Sequence, residues 1–236
     1  MPNNENLFNI KFLNGRYDLY GPVHKGLRRA QCDLLVRLGA ADFTADSARA
    51  ELLADLRALL ALAASHLLHE EGQIHPNLVN GSAEPTARLN EQHGDHRRKF
   101  DELEELIVAV EQAPKAQKHQ HGRRLYLAFT LYLARDLEHM FEEEVVAAPI
   151  LHASLSDQEL RTIEANIVGS LSPEKSMAFM QLMIPAINPA ERVALLAGIK
   201  TEAPPEVFDA IVAFAARPSL SASEFDALAR DVGIAA

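Results

Sequence analysis

Between Pro22 and Ala148, each of four long segments of the chain contains a series of residues at alternating spacings of three and four positions. We call each such series a seam. This spacing places them on one face of an α-helix, and four such helices with short connections are typical of a four-helix bundle. Strand signals are almost absent, because β-branched residues rarely occur in runs. The first three predicted helices run from Pro22 to about Leu38, from Thr44 or Ser47 to His75, and from Pro85 to just before Pro114. Residues 115–122 are predicted as a loop or as the frayed start of the fourth helix, which ends at Ala148.

Beyond residue 152 the pattern changes, because prolines divide the chain into short segments. Their apolar faces are too short to be stable as isolated helices, so we expect them to pack on the bundle or on a second subunit. The sequence therefore predicts an all-α protein in two parts. Residues 15–152 form an up-down-up-down four-helix bundle, and residues 153–236 form a C-terminal extension of short helices, which we expect as the contact surface of a homodimer.

The composition narrows the class of protein. The chain has 236 residues, of which 48% are hydrophobic, so it can bury a core without disulfides or a structural metal. Its formal net charge of −10 argues against nucleic-acid binding, because proteins that bind phosphate backbones carry basic surfaces. We therefore expect no nucleic-acid partner.

The expected location follows from the cysteine content and from the apolar stretches. The single cysteine, Cys32, excludes an intrachain disulfide and an all-cysteine metal site, and it fits a reducing compartment. Residues 1–18 lack the apolar run of a signal peptide, and the most apolar stretch, residues 58–68, is too short to span a membrane. We expect a cytoplasmic protein with no membrane partner.

The predicted helical seams carry histidines and carboxylates, which are seldom buried without a partner. Two helices each contribute a His and a Glu four residues apart, a spacing that puts both side chains on one face. The other two helices each contribute one His. Four imidazoles and two carboxylates suit two metal ions, with each Glu bridging and each ion bound by two His; iron, manganese and zinc accept such ligands. The predicted ligands are His24, His66, Glu70, His93, His139 and Glu143.

An internal repeat supports this ligand set. The segment that starts at His66, HLLHEEGQIHPNL, matches the segment that starts at His139, HMFEEEVVAAPIL. Both have Glu at the fourth and fifth positions after the His, Pro at the tenth and Leu at the twelfth. Upstream, His24 and His93 are both followed by a pair of arginines. The repeat predicts two related helical hairpins that face each other across a pseudo-twofold axis.

Some seam positions leave alternatives open. His96 shares a seam with His93, and the repeat favours His93 because it aligns with His24. Asp136 either accepts a hydrogen bond from a ligating imidazole or faces solvent beside an arginine, Arg135 or Arg97. Whether His96 or Asp136 joins the site stays open. Two further histidines, His69 and His75, fall off the seam and are expected in solvent or behind the ligands.

The doubled H-x-x-x-E-E motif with a downstream Pro resembles the hemerythrin-like, or HHE cation-binding, proteins over about residues 15–152. Oxygen-carrying hemerythrins pair one H-x-x-x-E with an H-x-x-x-H and an H-x-x-x-x-D, and this chain departs from that pattern. Two H-x-x-x-E motifs with two single histidines are more similar to the four-His, two-Glu di-iron sites of the iron-centre repair branch. The resemblance implies two iron ions, Fe2+ or Fe3+, with an oxo or hydroxo bridge; zinc and manganese are alternatives.

Three functions are compatible with this resemblance. The first is a metal-binding protein that binds or senses a small diatomic ligand, O2 or NO. The second is a di-iron stress-response enzyme that turns over NO or peroxide or repairs iron–sulfur clusters. The third is a structural protein that uses the metal to hold its helices together and interacts with partners through the C-terminal helices. The sequence assigns no catalytic residue.

Overall fold

The computed structural model of the protein describes residues 15–78 and 84–234, and the regular elements within these ranges are all helical. Most of the polar N-terminal stretch, residues 1–14, lies outside the described residues. The predicted all-α fold is confirmed, and four long helices form the predicted bundle. These helices are α1 (Gly21–Ala40), α2 (Asp46–His69), α3 (Glu84–Gln112) and α4 (Lys118–Glu142).

Two helix starts differ from the prediction. α2 begins at Asp46, and neither Thr44 nor Ser47 caps it. α4 begins at Lys118, because the predicted loop is reduced to a short 3-10 turn. The buried Lys118 ammonium donates hydrogen bonds to the carbonyl of Val110, at 2.9 Å, and to that of Glu111, at 3.0 Å. It thereby satisfies carbonyl groups at the end of α3 that have no partner within that helix.

Within the described residues, three π-helical segments follow or interrupt helices. Each ends two residues before a proline, and the residue that precedes the proline donates its N–H to the first carbonyl of the segment. The segments are Glu70–Ile74 before Pro76, Glu143–Ala147 before Pro149, and Val212–Ala216 before Pro218.

Proline chemistry explains these wide turns. A proline lacks the N–H that would bond to the carbonyl four residues earlier, and its ring clashes with that carbonyl. In each segment that carbonyl belongs to the middle residue, which is Gly72, Val145 or Phe214. The carbonyl of Phe214 accepts a hydrogen bond from the side chain of Gln181, at 2.9 Å, in place of the missing helical bond. The wider turn moves the carbonyl away from the ring and lets the chain stay helical through the proline.

The π turns shift the register of the residues that follow them. The predicted seam continues from Glu143 to Val146, but the structure buries Ala147 completely and leaves Val146 half-buried. The predicted helix end at Ala148 is also wrong, because the chain continues as α5 (Ala148–Ser154). A spacing count that assumes an uninterrupted α-helix cannot reproduce this shift.

α2 is the most apolar helix of the bundle. Leu53 and Leu56 are fully buried. The helical stretch Asp46–Asn77 is long and apolar enough to span a membrane by length and composition alone, with half of its tested window buried inside the protein. Core helices pass the same test, so this finding is weak evidence for a membrane segment.

The chain divides into two compact units. The first contains the described residues up to Tyr20 together with Ala30–Ile167, and it includes α5 and α6 (Asp157–Ser170). The predicted domain boundary at residues 152 and 153 stays a prediction. A hydrophobic cluster in this unit brings Ile74, the last residue of the first π turn, and Leu151 of α5 together with Leu160 of α6.

The second unit contains Gly21–Arg29 and the described residues from Val168 onward. Its core is formed by Leu196, Phe208 and Phe225 with their apolar neighbours. Asn188 and Ser221 cap two of its helices through reciprocal bonds with a Glu three residues later. The helices are α7 (Pro173–Met183), α8 (Pro189–Glu202), α9 (Pro205–Ile211), α10 (Arg217–Ser219) and α11 (Ala222–Val232).

Two helical glycines provide a matched test of the bundle packing. A Cβ atom on Gly122 of α4 would lie 2.2 Å from the ring of Phe43, whereas one on Gly94 of α3 would have Arg98 Nη1 as its nearest atom, at 3.7 Å. Gly122→Ala should destabilise the protein by about 1–3 kcal/mol through overpacking. Gly94→Ala should instead stabilise it by up to about 1 kcal/mol. Urea unfolding measures both, and a Gly122→Ala variant as stable as the wild type would contradict the packing of Phe43 on α4.

Candidate metal centre

The structure buries all six predicted ligands, none of them more than 9% exposed. They form two groups that share Glu70 and Glu143, and within each group the ligand atoms lie within 4.8 Å of one another. The first group is His24, His66, Glu70 and Glu143, and the second is Glu70, His93, His139 and Glu143. A cluster of this composition is consistent with a di-metal site, while the role of each residue as a ligand stays a prediction.

Helical spacing positions the two His-Glu pairs. His66 Nε2 lies 2.9 Å from a carboxylate oxygen of Glu70, and His139 Nε2 lies 3.4 Å from one of Glu143. Each Glu is the first residue of a π turn, and its N–H is shared between two carbonyls of the preceding helix. The two halves of the repeat therefore build the same local geometry, as the sequence predicts.

The imidazoles of His93 and His139 face each other, with their Nε2 atoms 3.0 Å apart. Nδ1 of His93 lies 3.1 Å from a carboxylate oxygen of Glu71. An ionised carboxylate accepts hydrogen bonds and cannot donate them. Nδ1 of His139 lies 2.8 Å from Oε1 of Gln92, whose amide nitrogen donates to Glu142. Both Nδ1 atoms therefore carry a proton, and both Nε2 atoms present a lone pair.

Two facing Nε2 atoms at this distance need a cation between them, which is a proton when His93 is protonated and can be a metal ion when both rings are neutral. Two imidazole nitrogens bound at right angles to one ion, each about 2.1 Å from it, are about 3.0 Å apart. The observed Nε2 separation of 3.0 Å matches this value. The two histidines and the nearby carboxylates thus fit a metal ion.

The negative charges around His93 and His139 also favour a cation at this position. Burial lowers the pKa of His93, but the nearby Glu143 carboxylate, 3.8 Å from Nε2, and the charges of Glu70 and Glu71 outweigh it, so the pKa is raised above its usual value of 6.5. Burial lowers the pKa of His139 to about 4, against the attraction of Glu143 and Glu70. The carboxylates therefore attract positive charge to His93, while His139 stays neutral as a metal ligand must.

An outer layer of polar residues orients these imidazoles. Burial raises the pKa of Glu71, but the hydrogen bond and charge of Arg97, at 2.6 Å, outweigh it, so the carboxyl stays ionised beside His93. Arg88 pairs in the same way with Glu142, at 2.9 Å, behind His139. Such partners fix the tautomer of a ligating histidine. The sequence offered a signal for one of them, because Glu71 is the second Glu of the first H-x-x-x-E-E motif.

The comparison with family models decides the family. The model described as the hemerythrin HHE cation-binding domain matches residues 19–151, which is more than half of the chain. The chain belongs to this family. The match contains all six candidate ligands and agrees with the predicted resemblance. Comparisons with curated proteins and with solved structures find no match.

Beside the two groups, the HHE domain holds a second buried polar cluster. Asp136 is 5% exposed, so its solvent-facing alternative is wrong. It accepts a hydrogen bond from Gln31, at 2.5 Å, and lies 3.6 Å from Nε2 of His96. Gln31 also donates to the hydroxyl of Tyr132. His96 is thus turned towards Asp136 and belongs to neither candidate group.

Two residues of the HHE domain that the sequence analysis did not place at the centre lie close to it. Tyr20 is fully buried, and its pKa is raised well above 10 by burial and by the charges of Glu143 and Glu70. His75 is also buried, so of its two expected positions the one in solvent is wrong, and the one behind the ligands stays open. The count fails for His75 because the π turn, which the sequence reading did not include, rotates the residues after Glu70.

Replacing the two neighbouring histidines of α3 one at a time tests the register of that helix. His93→Ala should lose at least about tenfold in zinc affinity, because it removes a lone pair that faces the centre. His96→Ala should keep the wild-type affinity, because its imidazole faces Asp136. Competition with a coloured chelator measures both affinities. The reverse order of the two affinities would move the ligand position by one turn.

Zinc affinity should depend on pH in a way that follows from the two imidazoles. Both must be neutral to bind a metal ion, so protons compete with zinc. Because the pKa of His93 is raised above 6.5, protons begin to compete with zinc for this imidazole at pH values above 6.5. His139, with a pKa of about 4, resists protonation until much lower pH. The affinity measured from about pH 8 downwards should therefore decline first through His93, and a constant affinity between about pH 8 and 6 would contradict this assignment.

Proposed function

We propose that the HHE domain holds two iron ions and binds a small diatomic molecule, O2 or NO, reversibly, as a binding or sensing protein. The observation that carries the proposal is the pair of Nε2 atoms of His93 and His139, which lie 3.0 Å apart in a buried site. Hydrogen bonds that Nδ1 donates to Glu71 and to Gln92 hold the two rings in this orientation. No rearrangement of these side chains is needed before an ion binds.

The donor set supports two ions. Glu70 and Glu143 belong to both groups, as expected of carboxylates that bridge two ions. Imidazole and carboxylate ligands without thiolate suit iron, zinc and manganese, and iron is proposed here from the resemblance described above. Six protein ligands shared between two iron ions leave each ion an open position at which a diatomic molecule can bind.

The protein supplies the charge balance for such ions. Glu70 and Glu143 are fully buried, and an ionised carboxylate in a protein interior costs several kcal/mol unless it is paired. Two divalent cations would offset both charges. Their formal charge exceeds that of the two glutamates, and the negative charges of Glu71 and Glu142 lie just outside the ring of ligands. The site is therefore suited to cations of high charge.

A surface pocket lies beside the centre. It has a volume of about 480 Å³ and is open to solvent, and His75 lies between it and Glu143. Its polar rim includes the ion pair of Glu71 and Arg97. One side chain, that of His75, thus separates the pocket from Glu143. The pocket is lined by Glu71, His75, Pro76, Thr86, Asn90 and Arg97.

The test is to load the metal-free protein with ferrous iron without oxygen and then add NO or O2. We expect two iron ions per chain and a reversible change in the visible spectrum with either gas. The matched control, Glu70→Gln with Glu143→Gln, keeps the size of both side chains and should lose tight binding of two ions. Its metal-free form should be at least as stable as that of the wild type, because two buried carboxylates have been removed.

Each other outcome contradicts part of the proposal. One ion or none per chain would exclude the di-iron site. Two ions with no spectral response to either gas would favour a purely structural role for the metal. Repeated consumption of NO or peroxide would favour the enzyme over the binding protein. A double-Gln variant that keeps both ions would exclude these glutamates as the bridging pair.

A further inference from the structure

The outward face of α4 carries two exposed leucines that do not belong to the core of the bundle. Leu127 is 52% exposed and Leu131 is 46% exposed, and they lie one helical turn apart. Each of the other large exposed apolar side chains among the described residues lies alone on a different element. Such single side chains are normal on a protein surface. Leu127 and Leu131 are neighbours, so they form a continuous apolar patch.

This patch is part of a second seam along α4, which we call the outer seam. Its five exposed residues follow one another at spacings of three, four, three and four positions. Helices that pack lengthwise on each other use this spacing. The buried seam of α4 faces the core of its own bundle, so the outer seam is available to a further helix. The outer seam is Arg124, Leu127, Leu131, Ala134 and Glu138.

The two ends of the outer seam carry opposite charges. Arg124 lies seven residues before Leu131, and Glu138 lies seven residues after it. Both are exposed, and neither has an ion-pair partner among the residues that the structure describes. Along the helix axis, a cation and an anion thus lie about 10 Å to either side of Leu131. A surface of this kind is complementary to a copy of itself that runs in the opposite direction.

We propose that two copies of this chain form an antiparallel dimer through the outer seam of α4, with the twofold axis near Leu131. Leu131 then contacts Leu131 of the second copy, and Arg124 of each chain lies opposite Glu138 of the other. Leu127 of one copy lies near the smaller Ala134 of the other. A contact between identical surfaces is closed after two copies, so it gives a dimer and no filament.

The charges also determine the relative direction of the two helices. In a parallel pair with equivalent residues opposite each other, Arg124 would face Arg124 and Glu138 would face Glu138. Like charges placed opposite each other across an interface disfavour that arrangement. Arg123 and Arg135 flank the outer seam, and Glu138 is the single exposed acidic residue of α4. We therefore expect the dimer to be more sensitive to a change of Glu138 than to a change of Arg124.

The test measures the mass of the full chain by analytical ultracentrifugation over a range of concentrations. The wild type should sediment as a dimer, with twice the chain mass of 26.0 kDa. Leu131→Asp should weaken the dimer at least about tenfold, because it places two carboxylates side by side near the axis. The matched control, Leu68→Asp, changes an exposed leucine of α2 and should leave the dimer intact.

An exchange of the two charges gives a second measurement. Arg124→Glu and Glu138→Arg should each weaken the dimer at least about tenfold, because each places like charges opposite one another. The double variant restores opposite charges across the interface and should recover the affinity of the wild type. Both residues are exposed, and a loss of folding in the single variants would not be reversed by a second change of charge.

The remaining outcomes each overturn this inference, and none of them depends on the metal content of the protein. A monomeric wild type would exclude the dimer. If deletion of residues 1–14 then produced one, that segment would be the occupant of the outer seam. A dimer that keeps its affinity in Leu131→Asp and in both charge variants would exclude the outer seam as its interface. A dimer lost only in Phe214→Asp would place the contact on the C-terminal helices, where Phe214 is 63% exposed.

Discussion

Two glutamate side chains buried inside a helical bundle are the constraint on which the rest of this site depends. Glu70 and Glu143 are fully buried, and ionised carboxylates there need positive charge close by. The two carboxylates raise the pKa of His93 and so favour positive charge on its imidazole. The two arginines nearby pair with the outer carboxylates, Glu71 and Glu142. The arrangement is that of a protein whose interior is completed by cations.

The sequence predicts the four helices and the composition of the centre because both depend on local spacing. A His and a Glu four residues apart must share a helical face, and the repeat identifies His24 and His93 as equivalent positions. The family match over residues 19–151 agrees with this prediction. Helical periodicity and the internal repeat together carry the information for the four helices and for the composition of the centre.

The predictions fail where the geometry departs from an ideal α-helix or where a contact spans a long sequence separation. Val146 was misplaced, and the solvent position expected as one alternative for His75 was wrong, because the π turns before Pro149 and Pro76 shift the register. The prolines were visible in the sequence, and their missing N–H groups are the physical signal that the spacing count ignored. The bond between Gln31 and Asp136 could not be predicted, because no local rule relates positions on two different helices so far apart in the chain.

The repeat is symmetric in its ligands and asymmetric in the residues that support them. Both oriented imidazoles, those of His93 and His139, belong to the second half of the repeat, and Glu71 from the first half and Gln92 from the second accept their hydrogen bonds. Supporting residues set the basicity and orientation of a ligand, so two ions in such a site experience different surroundings even with equivalent ligands. The asymmetry in the outer layer therefore bears on function as much as the ligands do.

The π turns also determine how this centre could be transplanted by protein design. An ideal α-helix can present a His and a Glu at the right spacing, but its next turn would direct later side chains elsewhere. In this protein Ile74 and His75 reach the interior through the wider turn. A graft of the ligand pair alone would lose this apolar cover and the imidazole beside it. The smallest portable unit is the whole stretch from His66 to Pro76, in which a missing hydrogen bond shapes the site.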